Sequence, residues 1–289
     1  MALEEYFVKL AATDKVSSIR FFTFDRDSIV LSYGQDTDVL KKLDYDVDLI
    51  RRLTGGSHVQ TGQNTLAYMF AVPRDRSFKD LVEMRKYYGG IVARALENLG
   101  IENVEADHKA CGVKIDGKIV ASHAMFWGVD SALLHGLIIV KPYHVERIAS
   151  RIWLKTRKIH GRLYTEESAL RNIPAILNQL QDFAPNAKPE QKLKAVNDLV
   201  AQEILREATK GRYERRKIDD KIVARLQPLL QEKYNQKAWV HGREPPFTEE
   251  EVEEIPGEKL AGRLKRNLPY CLWIEVKNRD FKKMAKPVE

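Results

Sequence analysis

Apolar residues recur along the chain with two different spacings. Helical spacing predicts helices over residues 1–12, 79–99, 144–156, 166–183, 188–210 and 219–234. Runs of β-branched and aromatic residues predict strands over residues 19–24, 28–32, 47–52, 65–72, 112–115, 118–125, 132–140 and 270–276. Asp116-Gly117 joins two of these strands and is a strong signal for a hairpin turn. The pattern predicts an α/β (α+β) fold in which helices flank a mixed, largely antiparallel sheet.

The bulk composition is that of an ordinary globular protein. The chain has 289 residues, of which 44% are hydrophobic and 31% are charged. No apolar run approaches the roughly 18 residues that a membrane-spanning helix needs. Glu4 and Glu5 stand where a signal peptide carries positive charge, and Cys111 and Cys271 form no CxxC motif. We therefore expect a cytoplasmic protein without a membrane partner.

The net charge of +7 is open to two explanations. It is either an ordinary solvated surface or an attraction to an anionic partner, which is a nucleic acid or an acidic protein. Acidic runs at residues 249–251 and 253–254 interrupt the basic surface. Because no recognisable nucleic-acid-binding motif is present, we do not expect a nucleic-acid partner.

Paired arginines precede paired glycines in the segment Arg51-Arg52-Leu53-Thr54-Gly55-Gly56. Glycines allow backbone N–H groups to approach a ligand closely, and arginines offer fixed charge to a phosphate or a carboxylate. On the glycine pair alone, a surface turn with solvated arginines is the commoner explanation.

Two further candidates lie in predicted strands. Lys118 follows the hairpin turn, where a desolvated ammonium would stabilise a developing oxyanion; an exposed lysine is the commoner case. His135 interrupts an apolar strand, where a histidine is more often a satisfied core residue than a catalyst.

Together and in this order, these segments resemble the catalytic domain shared by lipoate–protein ligases and octanoyltransferases. Residues 51–56 match the Arg-Arg-x-Thr-Gly-Gly signature of that family. Other similar segments are its opening helix at residues 1–5, its glutamine turn at residues 31–35, its Lys-Ile-x-Gly-Ser strand at residues 118–122 and its His-Gly strand at residues 134–136. The likeness implies a biotin/lipoate-ligase-like catalytic domain over residues 1–247 and a small C-terminal extension over residues 248–289.

The resemblance also implies roles for individual residues. Lys118 would be the catalytic residue and would contact the acyl carbonyl. The residues that would bind the substrate and its acyl-adenylate are Gln35, Arg51, Arg52, Thr54, Gly55, Gly56, Ser57, His58, Ser122 and His135. ATP and Mg²⁺ would be the cofactors, with no metal held by protein ligands.

Two reactions occur in the family that the chain resembles. A ligase activates lipoate as lipoyl-AMP and passes it to a lysine of a lipoyl-domain protein, and this reading is favoured. A transferase takes an octanoyl or lipoyl group from a carrier-protein thioester, with Cys111 as the candidate nucleophile; most free cysteines simply pack as small apolar residues. A non-catalytic paralogue that binds lipoyl domains is the third reading.

The expected partners follow from that chemistry. An acidic lipoyl-domain acceptor would be attracted by the positive charge of the chain. The last residues of the chain would be available to a second subunit. Whether the acid is lipoate or octanoate stays open.

Overall fold

The computed structural model describes residues 1–41, 47–74, 78–159, 162–242 and 271–276. Its helices are α1 (Ala2–Thr13), α2 (Leu81–Asn98), α3 (Val145–Arg151), α4 (Glu166–Arg171), α5 (Ile176–Gln179), α6 (Pro189–Thr209) and α7 (Asp220–Leu229). Its strands are β1 (Ser17–Phe22), β2 (Ser28–Leu31), β3 (Asp48–Arg51), β4 (Val59–Thr61), β5 (Thr65–Pro73), β6 (Val104–Asp107), β7 (Gly112–Ile115), β8 (Lys118–Trp127), β9 (Ser131–Ile139), β10 (Thr156–Ile159), β11 (Arg162–Thr165), β12 (Glu214–Arg216) and β13 (Cys271–Val276).

The predicted sheet is confirmed. Eight strands form the main sheet in the order β12-β13-β1-β5-β9-β8-β7-β6, and every neighbouring pair is antiparallel. A second sheet has the order β3-β2-β4, in which β2 and β3 run parallel. The fold is therefore mixed and largely antiparallel, as the pattern of short turns indicates.

Helices cover both faces of the main sheet. On one face, Tyr68 and Phe70 of β5 pack against α2 and α6, and Phe70 stacks on Tyr88 at 4.3 Å between ring centroids. On the other face, Met69 of β5 packs against Phe7 of α1 and against α7. Because both faces are covered, every residue of β5 is buried. No helix within the described residues is long and apolar enough to cross a membrane.

Several elements differ from the predicted ones. The predicted helix over residues 144–156 ends at Arg151 and gives way to the hairpin β10–β11. The predicted helix over residues 166–183 is divided into α4 and α5, with Pro174 between them, because proline cannot donate a helical hydrogen bond. β4, β6 and β12 are too short to give a clear alternation of side chains.

The predicted C-terminal extension contributes a strand to the main sheet. The predicted strand over residues 270–276 is confirmed as β13, which lies between β12 and β1. Without it, β1 would present an unpaired edge of N–H and C=O groups. The domain boundary at residue 247 stays a prediction. The remainder of residues 248–289, including the predicted charged helix, lies outside the described residues.

Candidate functional site

A cavity of about 310 Å³ lies between the main sheet and the loop of residues 52–58. Its walls come from β1, β5, β9, β8, β2, β4, α1 and the residue before β7. The apolar side chains in the wall are Met1, Phe22, Phe24, Val30, Val59, Ala67, Ala110, Ala124 and Leu137. The polar ones are Glu4, Arg52, Ser57, Cys111, Ser122, His123 and His135. We call it the apolar cavity; its volume and lining suit a small ligand with a hydrocarbon part.

Arg52 shapes the loop of residues 52–58, which lies over the apolar cavity. We call this loop the diglycine loop. Arg52 Nη2 donates to the carbonyl oxygens of Gly55 at 2.7 Å and Ser57 at 2.8 Å, and Arg52 Nε donates to Thr54 Oγ1 at 2.8 Å. Burial lowers the pKa of Arg52 to about 10, against the opposing effect of Glu4. The guanidinium therefore stays charged at neutral pH and lies in the wall of the cavity.

A chain of hydrogen bonds joins the diglycine loop to helix α1. Thr54 Oγ1 lies 2.7 Å from His135 Nε2, and His135 Nδ1 lies 3.0 Å from Glu4 Oε1. Because Arg52 only donates to Thr54, the threonine hydroxyl proton is free to point at His135 Nε2. His135 then carries its proton on Nδ1 and donates it to Glu4. These hydrogen bonds fix the diglycine loop to β9 and β9 to α1.

Glu4 is ionised inside this arrangement. Burial by itself would raise the pKa of its carboxyl group, but the neighbouring His135 and its hydrogen bond lower the pKa to about 2. Glu4 therefore brings a negative charge to the wall of the apolar cavity, and Arg52 brings a positive one.

Arg51 does not line the apolar cavity, and its role in substrate binding stays a prediction. Its side chain is completely buried on the side of β3 opposite to Arg52. Its Nη1 donates to the carbonyl oxygens of Ser32 and Gln35, at 2.7 and 2.6 Å. Its Nε donates to the carbonyl oxygen of Val240 at 2.9 Å. Arg51 therefore fastens the turn after β2 to the segment that follows α7.

Lys118 lies outside the cavity, contrary to the prediction that its ammonium enters a pocket. It is exposed at the tip of the β7–β8 hairpin, opposite Ile115, and does not line the apolar cavity. Ser122, four residues further along β8, does line it. Four residues of strand span about 13 Å, so Lys118 lies too far along β8 from Ser122 for its ammonium to enter the cavity. The catalytic role of Lys118 is left as a prediction that rests on the resemblance alone.

The other predicted residues divide into two groups. Thr54, Gly56, Ser57, Ser122 and His135 belong to the cavity wall or to its hydrogen-bond chain. Gln35 and His58 contact each other, with 3.0 Å between Gln35 Nε2 and His58 Nδ1, but do not line the cavity. Gly55 is exposed and contributes its carbonyl oxygen to Arg52.

Cys111 lines the apolar cavity beside an arginine. Arg85 Nη1 of α2 lies 2.9 Å from Cys111 Sγ. The structure thus places the candidate nucleophile in the cavity wall.

Glu4, Arg85 and His123 were not predicted as site residues. Nothing in their spacing marks them, because Glu4 and Arg85 lie on ordinary amphipathic helices and His123 lies in an alternating strand. Only the packing of α1 and α2 on the sheet brings them to the cavity or to Cys111. For Glu4, the one indication in the sequence was its place in residues 1–5, which resemble the opening helix of the family.

Burial keeps His123 uncharged. His123 is 9% exposed, and burial, reinforced by the nearby Arg85, lowers its pKa to about 3. Because the folded-state pKa lies below the unfolded value of 6.5, stability is lost as the pH falls below 6.5. As the pH falls, we expect the free energy of unfolding of the wild-type protein to decrease by about 1.4 kcal/mol per pH unit more than that of the His123→Leu variant. Urea denaturation between pH 6.5 and 5 measures this, and equal slopes would contradict it.

The two glycines of the loop are expected to differ in their tolerance of alanine. A Cβ on Gly56, whose φ is +104°, would be strained and would lie 3.0 Å from Arg52 Nη2, whereas a Cβ on Gly55 meets nothing within 4 Å. We expect Gly56→Ala to lose about 1–3 kcal/mol of stability, and Gly55→Ala to stay within about 0.5 kcal/mol of wild type. Thermal denaturation of the pair tests this, and equal losses would be inconsistent with the strained geometry.

A second cavity, of about 660 Å³, lies on the other side of β4. Val59 of β4 lines the apolar cavity and Gln60 lines the second one, so the strand separates the two. The basic side chains in its wall are Arg26, Lys141, Arg147 and Arg151. We call it the polar cavity.

No group of three or more His, Cys, Asp or Glu side chains that could hold a metal ion occurs among the described residues.

The antiparallel main sheet, the apolar cavity and the diglycine loop that Arg52 holds together form the candidate site. The chain belongs to the lipoyl protein ligase A/B catalytic domain family, which matches residues 1–188. The family predicted from the motifs is therefore confirmed, and with it the class of ligase enzymes.

Curated relatives agree with this assignment. Lipoate–protein ligase 1 of Staphylococcus aureus (strain Mu50 / ATCC 700699) is 22% identical over 260 residues, which cover 88% of this chain and 73% of the relative. Lipoate–protein ligase LplJ of Bacillus subtilis (strain 168) is 22% identical over 255 residues, which cover 86% and 71%.

Solved structures share the fold. A bi-partite lipoate protein ligase from Thermoplasma acidophilum, studied with its E2 lipoyl domain, has a TM-score of 0.65 at 18% identity, covering 86% of this chain and 92% of that one. Lipoate–protein ligase A bound with ATP has a TM-score of 0.62 at 17% identity, covering 83% and 92%. A putative lipoate protein ligase from T. acidophilum with bound lipoic acid has a TM-score of 0.59 at 16% identity, covering 83% and 94%.

Proposed function

We propose that the protein is an ATP-dependent lipoate–protein ligase, which activates lipoate as lipoyl-AMP and transfers it to a lysine of a lipoyl-domain protein. The observation that carries this proposal is the apolar cavity closed by a loop that the buried cation of Arg52 holds. Such a cavity accepts a hydrocarbon chain, and its cation lies where a carboxylate needs a partner.

The residues of the chain would act mainly by positioning the substrates. Arg52 would hold the acyl carboxylate against the α-phosphate of ATP and stabilise the charge that develops there. Ser57 and Ser122, which line the same cavity, offer hydroxyl donors. The apolar wall would exclude water from the adenylate, which protects it from hydrolysis until a lysine arrives.

The polar cavity supports a place for the nucleotide. It adjoins the apolar cavity across β4, and its arginine and lysine side chains suit polyphosphate. Arg147 and Arg151 both pair with Asp27 at 3.1 Å, so their guanidinium groups are held in place. Mg²⁺ would enter with the phosphates of ATP, since this ion usually binds through substrate phosphates.

An acidic lipoyl-domain protein is the proposed acceptor. The chain has a net charge of +7, which would attract such a partner and make association weaken with salt. The relative from T. acidophilum, a bi-partite ligase studied with a lipoyl domain, supports this choice of partner and the possibility of a second subunit.

One observation favours a transferase as the second candidate function. Cys111 lines the apolar cavity and contacts Arg85, so a thioester donor in the cavity would meet a thiol beside a cation. The acyl group would pass from the donor thiol to Cys111 Sγ, and then from Cys111 to the acceptor lysine.

The experiment that separates these functions measures acylation of a purified lipoyl domain by intact-protein mass spectrometry. Lipoate with ATP and Mg²⁺ is supplied in one arm, and an octanoyl carrier-protein thioester without ATP in the other. The ligase proposal expects modification in the first arm, and equal modification by Cys111→Ala. Modification confined to the second arm and abolished by Cys111→Ala would establish the transferase instead. Failure of both arms with a folded protein would favour a non-catalytic paralogue.

A further inference from the structure

One wall of the apolar cavity is a row of side chains that crosses the main sheet. Phe22, Ala67, Leu137 and Ser122 pair as neighbours on β1, β5, β9 and β8, and all four line the cavity. The row is apolar on β1, β5 and β9 and becomes polar at Ser122 on β8. A hydrocarbon tail is favoured over the apolar end, whereas a carboxyl group loses less by lying at the polar end. The reacting end of the acid should therefore lie towards β8 and β7.

The rim of the cavity at β7 and β8 is open to solvent. Ala110, the residue before Cys111, is exposed and lines the cavity, and Lys109 before it is also exposed. On β8, Ile119 is 37% exposed, and its Cγ2 lies 3.6 Å from the point where a Cβ on Gly112 would be. We call Lys109, Ala110 and Ile119 the β7–β8 lip. A cation and an apolar side chain are thus exposed where the reacting end of the acid is expected.

A β-bulge turns Ile119 towards the cavity face of β8. Two consecutive residues of β7 pair with Ala121 and Ile119, so the register skips Val120. Val120 and Ala121 are both completely buried in the core that includes α2. Because two successive residues point to that face, Ile119 points to the other face, to which Ser122 also belongs. The exposed isoleucine therefore follows from the geometry of the strand.

Lys109 offers a positive charge on a fixed loop. Asp107 Oδ1 accepts hydrogen bonds from the backbone N–H groups of Lys109 and Ala110, at 2.8 Å each, which holds the loop in place. The carboxylate of Asp107 forms its ion pair with Lys114. Among the described residues, the ammonium of Lys109 has no acidic partner, so it can meet an anionic surface.

We propose that the β7–β8 lip is the docking surface for the acceptor, a small acidic domain that presents its lysine across Ser122 to the acyl carbonyl. This inference rests on the proposed function and deepens it, because it gives the acceptor a place on the chain. An interface of ordinary size covers about 800 Å² on each partner, which is a patch that extends roughly 16 Å from its centre. A lysine that enters the cavity at this end thus brings the rest of its domain onto the lip. There Lys109 attracts the acidic surface, and Ile119 becomes buried.

Acyl transfer to a purified lipoyl domain at varied concentration tests docking separately from activation. Lys109→Glu reverses the charge of the lip, and Ile119→Ser removes its apolar contact. Each variant should raise the KM for the lipoyl domain about tenfold, while acyl-AMP formation without the domain stays within about twofold of wild type. In about 0.5 M salt the difference between Lys109→Glu and the wild-type protein should narrow, because salt screens exposed charges.

Two matched controls make the same chemical changes elsewhere. Lys194→Glu reverses an exposed charge on α6, which packs on the face of the main sheet opposite to the cavity. Val129→Ser removes an apolar side chain that is 85% exposed beyond the far end of β8, about 26 Å from Ile119. Neither control should change the KM for the lipoyl domain. Thermal denaturation checks that all four variants fold, and Lys118 is left unchanged because its predicted catalytic role would obscure an effect on docking.

Three results would overturn the docking surface. They are a KM of the lip variants close to that of the wild-type protein, an equal rise in KM for the control variants, and a loss of acyl-AMP formation in the lip variants that matches their loss of transfer. In each case acyl-AMP formation by the wild-type protein leaves the proposed function standing. A wild-type protein that forms neither acyl-AMP nor acyl-lysine overturns both together. A wild-type dimer that Ile119→Ser converts to a monomer in size-exclusion chromatography would assign the lip to a second copy of the chain instead.

Discussion

Arg52→Met is expected to lower kcat/KM for acyl-adenylate formation by about a thousandfold while the protein stays folded. Methionine matches the length of the arginine stem but removes the cation that lines the apolar cavity and holds the carbonyl oxygens of Gly55 and Ser57. Removing one preorganised donor from an active site typically lowers the rate by 10²–10³, and here the shape of the loop changes as well. The freed loop carbonyls belong to exposed residues and can turn to water, so the loss of stability should be smaller than that of Arg51→Met.

Pyrophosphate release with varied lipoate concentration measures the effect of Arg52→Met. Arg52→Lys is the control for charge. Lysine keeps a cation but cannot donate to both carbonyl oxygens and to Thr54 in one plane. We therefore expect Arg52→Lys to be more active than Arg52→Met but less active than the wild-type protein. A fall of less than tenfold in folded Arg52→Met would show that the diglycine loop does not depend on this guanidinium.

Arg51→Met is expected to destabilise the protein by about 4 kcal/mol. Arg51 is completely buried, and its guanidinium donates to the carbonyl oxygens of Ser32, Gln35 and Val240. Methionine would leave these oxygens without their donor and would release the segment after α7 from the turn after β2. Urea denaturation at pH 7 measures the loss. A free energy of unfolding within about 1 kcal/mol of wild type would contradict the structural role.

These adjacent arginines form a matched pair, because the same substitution is made one residue apart. Arg51 and Arg52 point to opposite sides of the chain, so one change should affect mainly stability and the other mainly catalysis. An equal effect of both variants on stability and on activity would mean that the segment acts as one unit.

Sequence patterns predicted the sheet because its signals are local. β5, β8 and β9 are long runs of apolar and β-branched residues, and the turn Asp116-Gly117 fixes the register of one hairpin. The place of β13 in the sheet could not be predicted, since its partner β1 is more than two hundred residues away in the chain and no local pattern encodes such pairing.

Part of the site could be predicted because its signal is also local. Residues 52–57 form one continuous motif, and Arg52, Gly56 and Ser57 of this motif line the apolar cavity. The role of Glu4 depends on how α1 packs against β9, and the role of Arg85 depends on how α2 approaches Cys111. Such contacts between distant elements leave no periodic signal.

Lys118 shows the limit of an argument from a motif. Its neighbours along β8 led to the prediction that it enters the pocket, and Ser122 of the same strand does line it. The hairpin turn directly before Lys118 places it at the exposed tip instead. Lys118 does not line the apolar cavity, so the proposed function rests on Arg52 and the cavity itself.

Mass spectrometry of the small molecules formed from lipoate, ATP and Mg²⁺, without any acceptor protein, tests the proposed activity most directly. We predict that lipoyl-AMP accumulates on the wild-type protein and is nearly absent with Arg52→Met. A wild-type protein that binds lipoate in the apolar cavity but forms no lipoyl-AMP would contradict the proposed activity.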